Sequence, residues 1–391
     1  MTAQLPLRVA FTAVPRSLWA GGYNYQRNLF AALGRYCPGE FAPVVFAGTT
    51  DDPAELAELS HIPAVEVARS QAFDRRRSGL IGAIAFGLDR PAAAEFQAKG
   101  IDVVVENARF FGWRLPFPAI AWFPDFQHRR LPQLFSPIAR WRRDLGFRAQ
   151  IMSGRQIMLS SESALADYRR FYPGFCNDVA VVRFATQPAA ELLTADAAEV
   201  LAKYSLPARY FYLPNQFWRH KNHQVVVEAL TILKQRGQDV VVAASGSPQD
   251  PREADYFDHL MRRVEDRGVA SNFRYLGMIP LDHVYALLRA SVALINPSRF
   301  EGWSTTVEEA KSFGVPMILS DIDVHREQTG GRARYFGLDD AATLADLLWE
   351  AAQAAEPSAI RGLLPDLGQR VAAFATDFAR VVARAIETQR R

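Results

Sequence analysis

Short apolar runs alternate with helical patterns along most of this 391-residue chain. The runs consist largely of Val, Ile, Phe, Leu and Ala, which is typical of strands that are buried on both faces. Parallel strands need long crossover connections, and the helical stretches between the runs supply them. The alternation therefore predicts an α/β fold in which helices cover parallel sheets. The predicted strands are 8–14, 42–47, 102–106, 119–123, 157–160, 179–183, 210–213, 239–244, 273–276, 292–295, 317–320 and 334–336.

A Pro- and Ala-rich stretch, residues 186–207, interrupts the alternation and indicates the connection between two domains. The chain is long enough for two full hydrophobic cores. We predict one doubly wound domain at residues 1–186 and a second at 207–370. A C-terminal helix at 372–391 carries an apolar stripe, and the sequence leaves open which domain it covers. Packing back on the first domain is one arrangement.

The composition places few limits on function but excludes several classes. Hydrophobic content is 49% and charged content 22%, as in ordinary globular proteins, and no stretch has the length of a membrane span. Cys37 and Cys176 are too few for a disulfide framework or a Cys-based metal site. These features, with an N-terminus that lacks a signal-peptide pattern, predict a protein of the reducing cytoplasm.

The net charge is only +3, but arginines cluster in the first half at 75–77, 129–130 and 140–148. Trp141 and Phe147 interleave with the last cluster. One interpretation is a solvated basic face. The other is attraction to an anionic membrane surface or to a phosphate-bearing acceptor. No nucleic-acid-binding motif accompanies the charge, so we expect no nucleic-acid partner.

The most informative motif is 296–316, Asn-Pro-Ser-Arg-Phe-Glu-Gly-Trp-Ser-Thr-Thr-Val-Glu-Glu-Ala-Lys-Ser-Phe-Gly-Val-Pro. It predicts a strand end, a tight turn at Gly302 and a helix start with a capping box, either Thr305 with Glu308 or Thr306 with Glu309. Amides at a helix N-terminus bind anions. With the carboxylates of Glu301 and Glu309 beside them, they suit a phosphorylated sugar or a nucleotide. An ordinary strand–turn–helix joint is the alternative.

Three other strand-end segments carry candidate ligands, since ligands of parallel sheets bind at the carboxyl ends of strands. Gly21 and Gly22 predict a glycine loop that could cradle a phosphate. Asp125 and His128 follow the strand at 119–123, where a histidine could bond a sugar hydroxyl or a phosphate. The third segment follows the strand at 210–213 and is cationic, which would neutralise a diphosphate. It contains Arg219, His220 and Lys221.

Together these elements resemble the GT-B fold, in which two Rossmann-like domains enclose a donor site in the cleft between them. The late motif resembles that of glycosyltransferase family 4, whose signature has two glutamates separated by seven residues. The continuation from Met317 through His325-Arg326-Glu327 fits as well. The resemblance implies that the first domain lies on the acceptor side and the second binds a nucleotide sugar.

The resemblance also implies roles for individual residues. Glu301 would bind the donor sugar's hydroxyls, Glu309 the ribose, Lys221 the diphosphate, and backbone at Ile279 the base. The implied catalytic set is Glu301, Lys221, His128 and Arg219, with Asp125 on the acceptor side. The implied donor-binding set is Gly21, Gly22, Asn215, His220, Gly246, Gly277, Ile279, Gly302, Trp303, Ser304, Thr305 and Glu309.

The chain departs from the family pattern in three places. Many members carry an arginine where this chain has Asn215, and Arg219 or His220 is the expected substitute. The family's His-Asp pair is represented by Asp125 with His128 three residues later. Ser304, Thr305 and Thr306 replace small residues and a proline, which indicates different contacts to the donor sugar.

The implied function is a retaining, metal-independent glycosyltransferase. It would move a sugar from a GDP- or UDP-linked donor to a carbohydrate or polyprenyl-linked acceptor, in bacterial surface polysaccharide assembly such as O-antigen, lipopolysaccharide, capsule or exopolysaccharide. No metal or other cofactor is expected, and Asp321-Ile322-Asp323 fits the family pattern without metal. The enzyme would work in the cytoplasm, free or at the inner face of the plasma membrane. A nucleotide-sugar epimerase of GT-B fold and a non-catalytic nucleotide-sugar-binding protein are the alternatives.

Overall fold

The computed structural model describes residues 5–74, 79–107, 109–250, 252–354 and 360–390. The chain divides into two compact units, Met1–Ala185 with Gly368–Arg391, and Thr186–Leu367. Each unit contains one parallel sheet, of seven and six strands respectively. The predicted α/β fold with two doubly wound sheets is therefore confirmed. The arginine cluster at 75–77 lies outside the described residues.

The first unit alternates strands and helices in the predicted manner. Its strands are β1 (Leu7–Thr12), β2 (Phe41–Ala47), β3 (Glu66–Arg69), β4 (Val103–Glu106), β5 (Ala119–Phe123), β6 (Gln156–Leu159) and β7 (Val179–Val181). Its helices up to β7 are α1 (Arg16–Tyr36), α2 (Pro53–Ser60), α3 (Gly79–Ala85), α4 (Arg90–Ala98), α5 (Gln127–Arg130), α6 (Pro137–Met152) and α7 (Glu162–Phe171). The sheet order is β3-β2-β1-β4-β5-β6-β7.

The glycine loop predicted at Gly21 and Gly22 is wrong, because both residues lie within helix α1. The helix is broken at Trp19, whose backbone has non-helical angles (φ −155°, ψ 85°). The Trp19 indole lies so close to Gly22 that a Cβ there would come within 2.3 Å of the ring. The ring also stacks on Trp122 of β5, at 5.4 Å between centroids. The glycines therefore make room for an indole.

The second unit repeats the alternation with shorter strands. Its strands are β8 (Phe211–Leu213), β9 (Val242–Ala244), β10 (Phe273–Tyr275), β11 (Leu294–Asn296), β12 (Met317–Ser320) and β13 (Arg334–Phe336). Its helices are α8 (Ala197–Lys203), α9 (His223–Gln235), α10 (Tyr256–Asp266), α11 (Leu281–Ala290), α12 (Thr305–Ser312), α13 (Asp323–Thr329) and α14 (Ala341–Ala354). The C-terminal helix of the chain is α15 (Leu367–Arg390).

Helix α15 packs on the first unit through its aromatic stripe. Phe374 contacts the rings of Tyr25 and Phe184, and Phe378 stacks on Phe11 of β1 at 6.0 Å. Both phenylalanines are buried. Because the apolar stripe of α15 is covered there, the helix contributes to the core of the first unit although it lies last in sequence.

Residues 186–207 belong to the second unit instead of forming a free connection. Val200 of α8 is buried in the same apolar cluster as residues of α11. The Tyr204 hydroxyl lies 2.7 Å from Nδ1 of His283, and the Arg289 guanidinium donates to the Leu193 carbonyl at 3.0 Å. The Pro- and Ala-rich composition therefore marks a short packed segment that leads into β8.

The second sheet has the order β10-β9-β8-β11-β12-β13, and all its strand pairs are parallel. The order runs outward in opposite directions from β8 and β11. In sheets of this kind, the carboxyl ends of the two strands at such a reversal form a natural ligand crevice. The segments after Leu213 and after Asn296 meet at this point, and both carry residues that the sequence singled out. Among the described residues, no helix combines the length and apolarity that crossing a membrane requires.

Candidate active site

A buried ion pair joins the two strand-end segments of the second unit. Lys221 follows β8 and Glu301 follows β11, and the Lys221 Nζ donates to Oε1 of Glu301 at 2.6 Å. The Lys221 side chain is 15% exposed and that of Glu301 10%. Ions are costly to remove from water, so a pair of this kind at a ligand crevice is a candidate for function as well as for structure.

The backbone after β8 sets the position of Lys221. Residues Arg219–Lys221 form a single 3₁₀ turn, closed by a bond from the Lys221 amide to the Trp218 carbonyl at 2.8 Å. Asn222 then adopts a left-handed conformation (φ 56°), which asparagine tolerates better than most residues. Its side chain donates to the Leu338 carbonyl at 2.8 Å, and α9 begins at the next residue. The turn therefore fixes Lys221 at the helix entrance.

Glu301 is held in its charged form. Burial acts to raise the pKa of Glu301, but the charge and hydrogen bond of Lys221 outweigh it. The resulting pKa is about 2, compared with 4.5 for an ordinary glutamate. At neutral pH Glu301 is therefore a carboxylate, which can accept hydrogen bonds from hydroxyl groups but cannot act as an acid.

His325 of α13 lies close enough to interact electrostatically with Glu301 and Lys221. Its Nδ1 is 2.9 Å from the Ser320 carbonyl, so Nδ1 carries the proton and Nε2 the lone pair. Burial lowers the pKa of His325 and keeps the ring neutral. Nε2 is buried without a hydrogen-bond partner among the described residues. An unsatisfied buried acceptor is expensive, so it suits a position where a substrate donor binds.

Asn296 organises the turn between β11 and α12. It is fully buried, and its Oδ1 accepts from the Ser298 hydroxyl at 2.7 Å and from Asn215 Nδ2 at 3.2 Å. Its Nδ2 donates to the Ser304 and Thr306 hydroxyls at 2.9 and 3.3 Å. One side chain thus connects the ends of β8 and β11 to the start of α12. Asn215 therefore has a structural role at this junction.

The capping box predicted at the start of α12 is wrong. The helix begins after Ser304, whose side chain makes no capping bond because Asn296 and Thr306 engage it. Glu308 accepts instead from Lys311 at 2.7 Å and from Gln328 Nε2 at 3.2 Å. Gln328 also brackets the Ser304 backbone, accepting from its amide at 2.9 Å and donating to its carbonyl at 3.0 Å. The Ser304 amide is therefore already engaged.

Further predicted donor-binding residues lie on the loops after β9 and β10 and in helix α12. The Gly246 amide donates to the Gly277 carbonyl at 3.0 Å, which joins the loops after β9 and β10. Gly246 has φ +150°, and a Cβ there would lie 2.4 Å from the Asn215 carbonyl. Ile279 packs on the cluster around α11, and Glu309 is buried near the Tyr285 hydroxyl at 3.5 Å. Gly246, Gly277 and Ile279 thus lie on packed loops, and Glu309 lies in helix α12.

The cationic segment divides into residues at the ion pair and residues away from it. Arg219 is 60% exposed and its guanidinium pairs with Glu253 at 3.2 Å, so it does not join Lys221 and Glu301. His220 is buried, and its Nδ1 lies 3.1 Å from Arg252. Burial and the charge of Lys221 lower the pKa of His220 well below its ordinary value. Arg219 is therefore paired at the surface, and His220 is buried beside Arg252.

In the first unit, Asp125 and His128 follow β5 as predicted. Asp125 Oδ1 accepts from the Gln127 amide at 2.9 Å and from Arg143 at 3.0 Å. His128 is buried against Phe147, and neither of its ring nitrogens has a hydrogen-bond partner among the described residues. Burial and the charge of Arg143 lower the pKa of His128 to about 4. The ring is thus neutral at pH 7, with one donor and one acceptor unsatisfied.

Part of the second unit is similar to a known protein family. Residues 203–334 match the family of glycosyl transferases group 1. That range contains Lys221, Glu301, Glu309 and His325. It covers the second unit from the end of α8 to the start of β13. The chain matches no curated protein sequence.

Solved structures match over the whole chain. Sucrose-phosphate synthase from Thermosynechococcus elongatus aligns with a TM-score of 0.65 and 17% identity, over 99% of this chain and 98% of that one. HepE from Anabaena, in complex with UDP and glucose, aligns with a TM-score of 0.64 and 15% identity over 99% of both chains. WaaG, a glycosyltransferase involved in lipopolysaccharide biosynthesis, aligns with a TM-score of 0.63 and 15% identity, over 98% of this chain and 99% of that one.

These likenesses confirm the predicted GT-B fold, and with the family match they support a glycosyltransferase. The sequence interpretation assigned no role to Asn296, Gln328 or Arg252. Asn296 offered a signal, because a buried polar residue at the end of an apolar strand needs partners. Gln328 offered none, since its contacts with Ser304 span 24 residues.

Proposed function

We propose that the protein is a retaining glycosyltransferase that uses a nucleoside-diphosphate sugar and needs no metal. The observation that supports this most strongly is the Lys221–Glu301 ion pair, which bridges β8 and β11 within the matched family region. Glycosyl transfer breaks the bond between the sugar carbon and a diphosphate oxygen. The lysine can stabilise the diphosphate side of that bond, and the carboxylate can stabilise the sugar side. The diphosphate leaves with negative charge, and the sugar carbon develops positive charge.

Lys221 stabilises the departing diphosphate in this proposal. An ammonium group has three N–H donors, and the bond to Glu301 uses one of them. The remaining donors can bind phosphate oxygens as the glycosidic C–O bond breaks. A fixed lysine supplies positive charge at the place where other transferases use a metal ion. Metal independence is part of the proposal for this reason.

Glu301 acts on the sugar. Since its pKa is about 2, it stays ionised, accepts bonds from the donor's hydroxyls and stabilises the oxocarbenium-like carbon electrostatically. Nε2 of His325 offers a further acceptor beside it. Retention requires that the acceptor oxygen attack from the face that the diphosphate leaves. A leaving phosphate oxygen then takes the acceptor's proton, so that no separate protein base is needed.

We assign His128 to substrate binding in the first unit. Its two unsatisfied ring nitrogens each cost about 1–3 kcal/mol when buried, and a bound hydroxyl or phosphate would recover that energy. Asp125 keeps the preceding turn in place by accepting from the Gln127 amide. Arg219, which faces Glu253 at the surface, is left out of the catalytic set.

The substrates are proposed from chemistry and from the relatives. HepE is described with UDP and glucose, and WaaG acts in lipopolysaccharide biosynthesis. We propose a UDP- or GDP-linked hexose as donor and a carbohydrate or polyprenyl-linked acceptor. The pathway would be bacterial surface polysaccharide assembly on the cytoplasmic side.

A thermal-shift screen tests the proposal, since a ligand that binds only the native state raises stability. UDP, GDP, their hexose conjugates and the bare nucleosides are compared with wild type, Lys221→Met and Glu301→Gln. We expect stabilisation by one diphosphate series, its loss in Lys221→Met, and unchanged nucleoside binding there. Glu301→Gln should keep diphosphate binding and lose transfer of sugar. The proposal is contradicted if no diphosphate raises the thermal midpoint of the wild type. It is also contradicted if Glu301→Gln transfers sugar at the wild-type rate.

A further inference from the structure

Helix α6 exposes an unusual outer face. Ile138, Trp141 and Met152 are 71%, 64% and 74% exposed. At 100° per residue these three side chains and the half-buried Leu145 fall within a stripe about 60° wide along the helix. Single exposed apolar side chains are ordinary, but a continuous stripe of them needs an explanation.

The core of the first unit does not need these side chains. The opposite side of α6 carries Phe147, which stacks on Phe123 at 4.1 Å, and Ile151, which is buried. Helix α6 is therefore apolar on two sides. A surface helix normally has one apolar side, which faces the core. The second side is available to bind something outside the chain.

The arginines of this region sort into two groups. Arg129, Arg130 and Arg143 pair with Asp144, Asp167 and Asp125 respectively. They hold α5 and α6 in place. Arg142 and Arg148 lie on the two borders of the apolar stripe and are exposed, although Arg148 also bonds Asp144. The helix contains four arginines and one aspartate, so its formal charge is 4 − 1 = +3.

We propose that this outer face, formed by Ile138, Trp141, Arg142, Leu145, Arg148 and Met152, binds an anionic lipid bilayer. An apolar stripe with an aromatic ring and bordering cations matches the boundary between acyl chains and anionic headgroups. The arginine stems cover apolar surface while their guanidinium groups reach the phosphates. Helix α6 lies in the plane of the bilayer surface, which holds the protein where lipid-linked molecules are found.

The charge distribution favours lipid over a protein partner. The excess charge has one sign, and it borders the apolar stripe on both sides instead of alternating with carboxylates. A bilayer surface provides negative charge in every direction around an inserted helix. This inference does not depend on the proposed glycosyl transfer, because lipid binding is measured without donor or acceptor.

Vesicle sedimentation of the full chain tests the inference. We expect binding to phosphatidylglycerol/phosphatidylcholine vesicles at low salt, a steep fall in high salt, and little binding to phosphatidylcholine alone. Trp141→Ser should weaken binding at least ~10-fold, because the indole no longer enters the apolar layer. Arg142→Glu replaces an attraction by a repulsion and should weaken it ~30-fold, whereas Arg142→Lys should retain it.

Two matched variants control for general effects. Trp113→Ser removes another exposed tryptophan of the same unit, 51% exposed, and Arg209→Glu reverses an exposed arginine elsewhere. Both should bind vesicles like wild type, and all variants should keep the thermal midpoint of the folded chain. The inference is overturned by a wild type that fails to bind anionic vesicles at low salt. The inference is also overturned if Trp141→Ser binds vesicles as well as the wild type does. Binding that does not change with salt or with lipid charge overturns it too.

Discussion

Substitution of Lys221 by methionine should leave Glu301 as an unpaired buried carboxylate and so lower the free energy of unfolding. In wild type the pKa of Glu301 is about 2 compared with 4.5 for an ordinary glutamate. A shift of that size corresponds to about 3 kcal/mol of preference for the charged form in the native state. The Glu301 side chain is only 10% exposed, so little of this is screened by solvent.

Without the ammonium group, burial becomes the dominant influence and raises the pKa of Glu301 above its ordinary value. At pH 7.5 the Lys221→Met protein must then either bury an unpaired carboxylate or bind a proton. We expect the free energy of unfolding of the second unit to fall by about 3–5 kcal/mol, as when one partner of a buried pair is removed. The double variant Lys221→Met/Glu301→Gln should regain most of this loss.

The pH dependence has a definite sign. In wild type the folded pKa of Glu301 is depressed, so its stabilisation is present above pH 4.5 and is lost as the pH falls towards 2. In Lys221→Met the folded pKa is raised, so the penalty is full above that pKa, shrinks as the pH falls below it and is gone below the ordinary pKa of 4.5. The difference between the two proteins should therefore narrow in acid.

Urea unfolding of the four proteins at pH 7.5 and 5 measures both effects as a double-mutant cycle. A coupling energy of about 2–3 kcal/mol at pH 7.5, smaller at pH 5, is expected. If the costs of Lys221→Met and Glu301→Gln add to within about 0.5 kcal/mol, the two side chains do not interact and the reasoning about the pair fails.

Two further predictions concern the same unit. The pKa of His223 is lowered to about 3 from 6.5 by burial, so the native state resists protonation and stability should fall as the pH drops below 6.5. His223→Phe, which keeps the stacking on Phe217 at 4.2 Å, should flatten that fall by up to about 1.4 kcal/mol per pH unit. An unchanged slope in urea unfolding between pH 6 and 4 would count against it. Gly246→Ala should cost about 2–4 kcal/mol, because its Cβ would lie 2.4 Å from the Asn215 carbonyl at φ +150°. Gly237→Ala, at φ +69° with nothing within 4 Å, is the control and should cost about 1–2 kcal/mol. Equal losses for the two variants would refute the steric argument.

Sequence patterns predicted an element correctly where its limits depend on residues that are neighbours in the chain. The strand at Met317–Ser320 begins and ends where the sequence predicts, because a short run of apolar residues defines it. The predicted capping box failed because α12 begins at Thr305, which places Thr305 and Thr306 inside the helix, and because the hydroxyl of the N-cap residue Ser304 is bonded to Asn296 and Thr306. The glycine loop failed because the need for Gly22 comes from the Trp19 ring.

The sequence by itself determined the fold class and which strand ends carry charged and polar groups, since alternation and strand-end position are written along the chain. Only the tertiary structure decided which of those groups meet. Lys221 and Glu301 are 80 residues apart, and the reversal of strand order between β8 and β11 brings them to 2.6 Å. The same packing turns Arg219 outward and buries His220 and His325. The partners of an ionisable side chain and its burial both depend on segments that are distant in sequence. These two properties set the charge that the side chain carries.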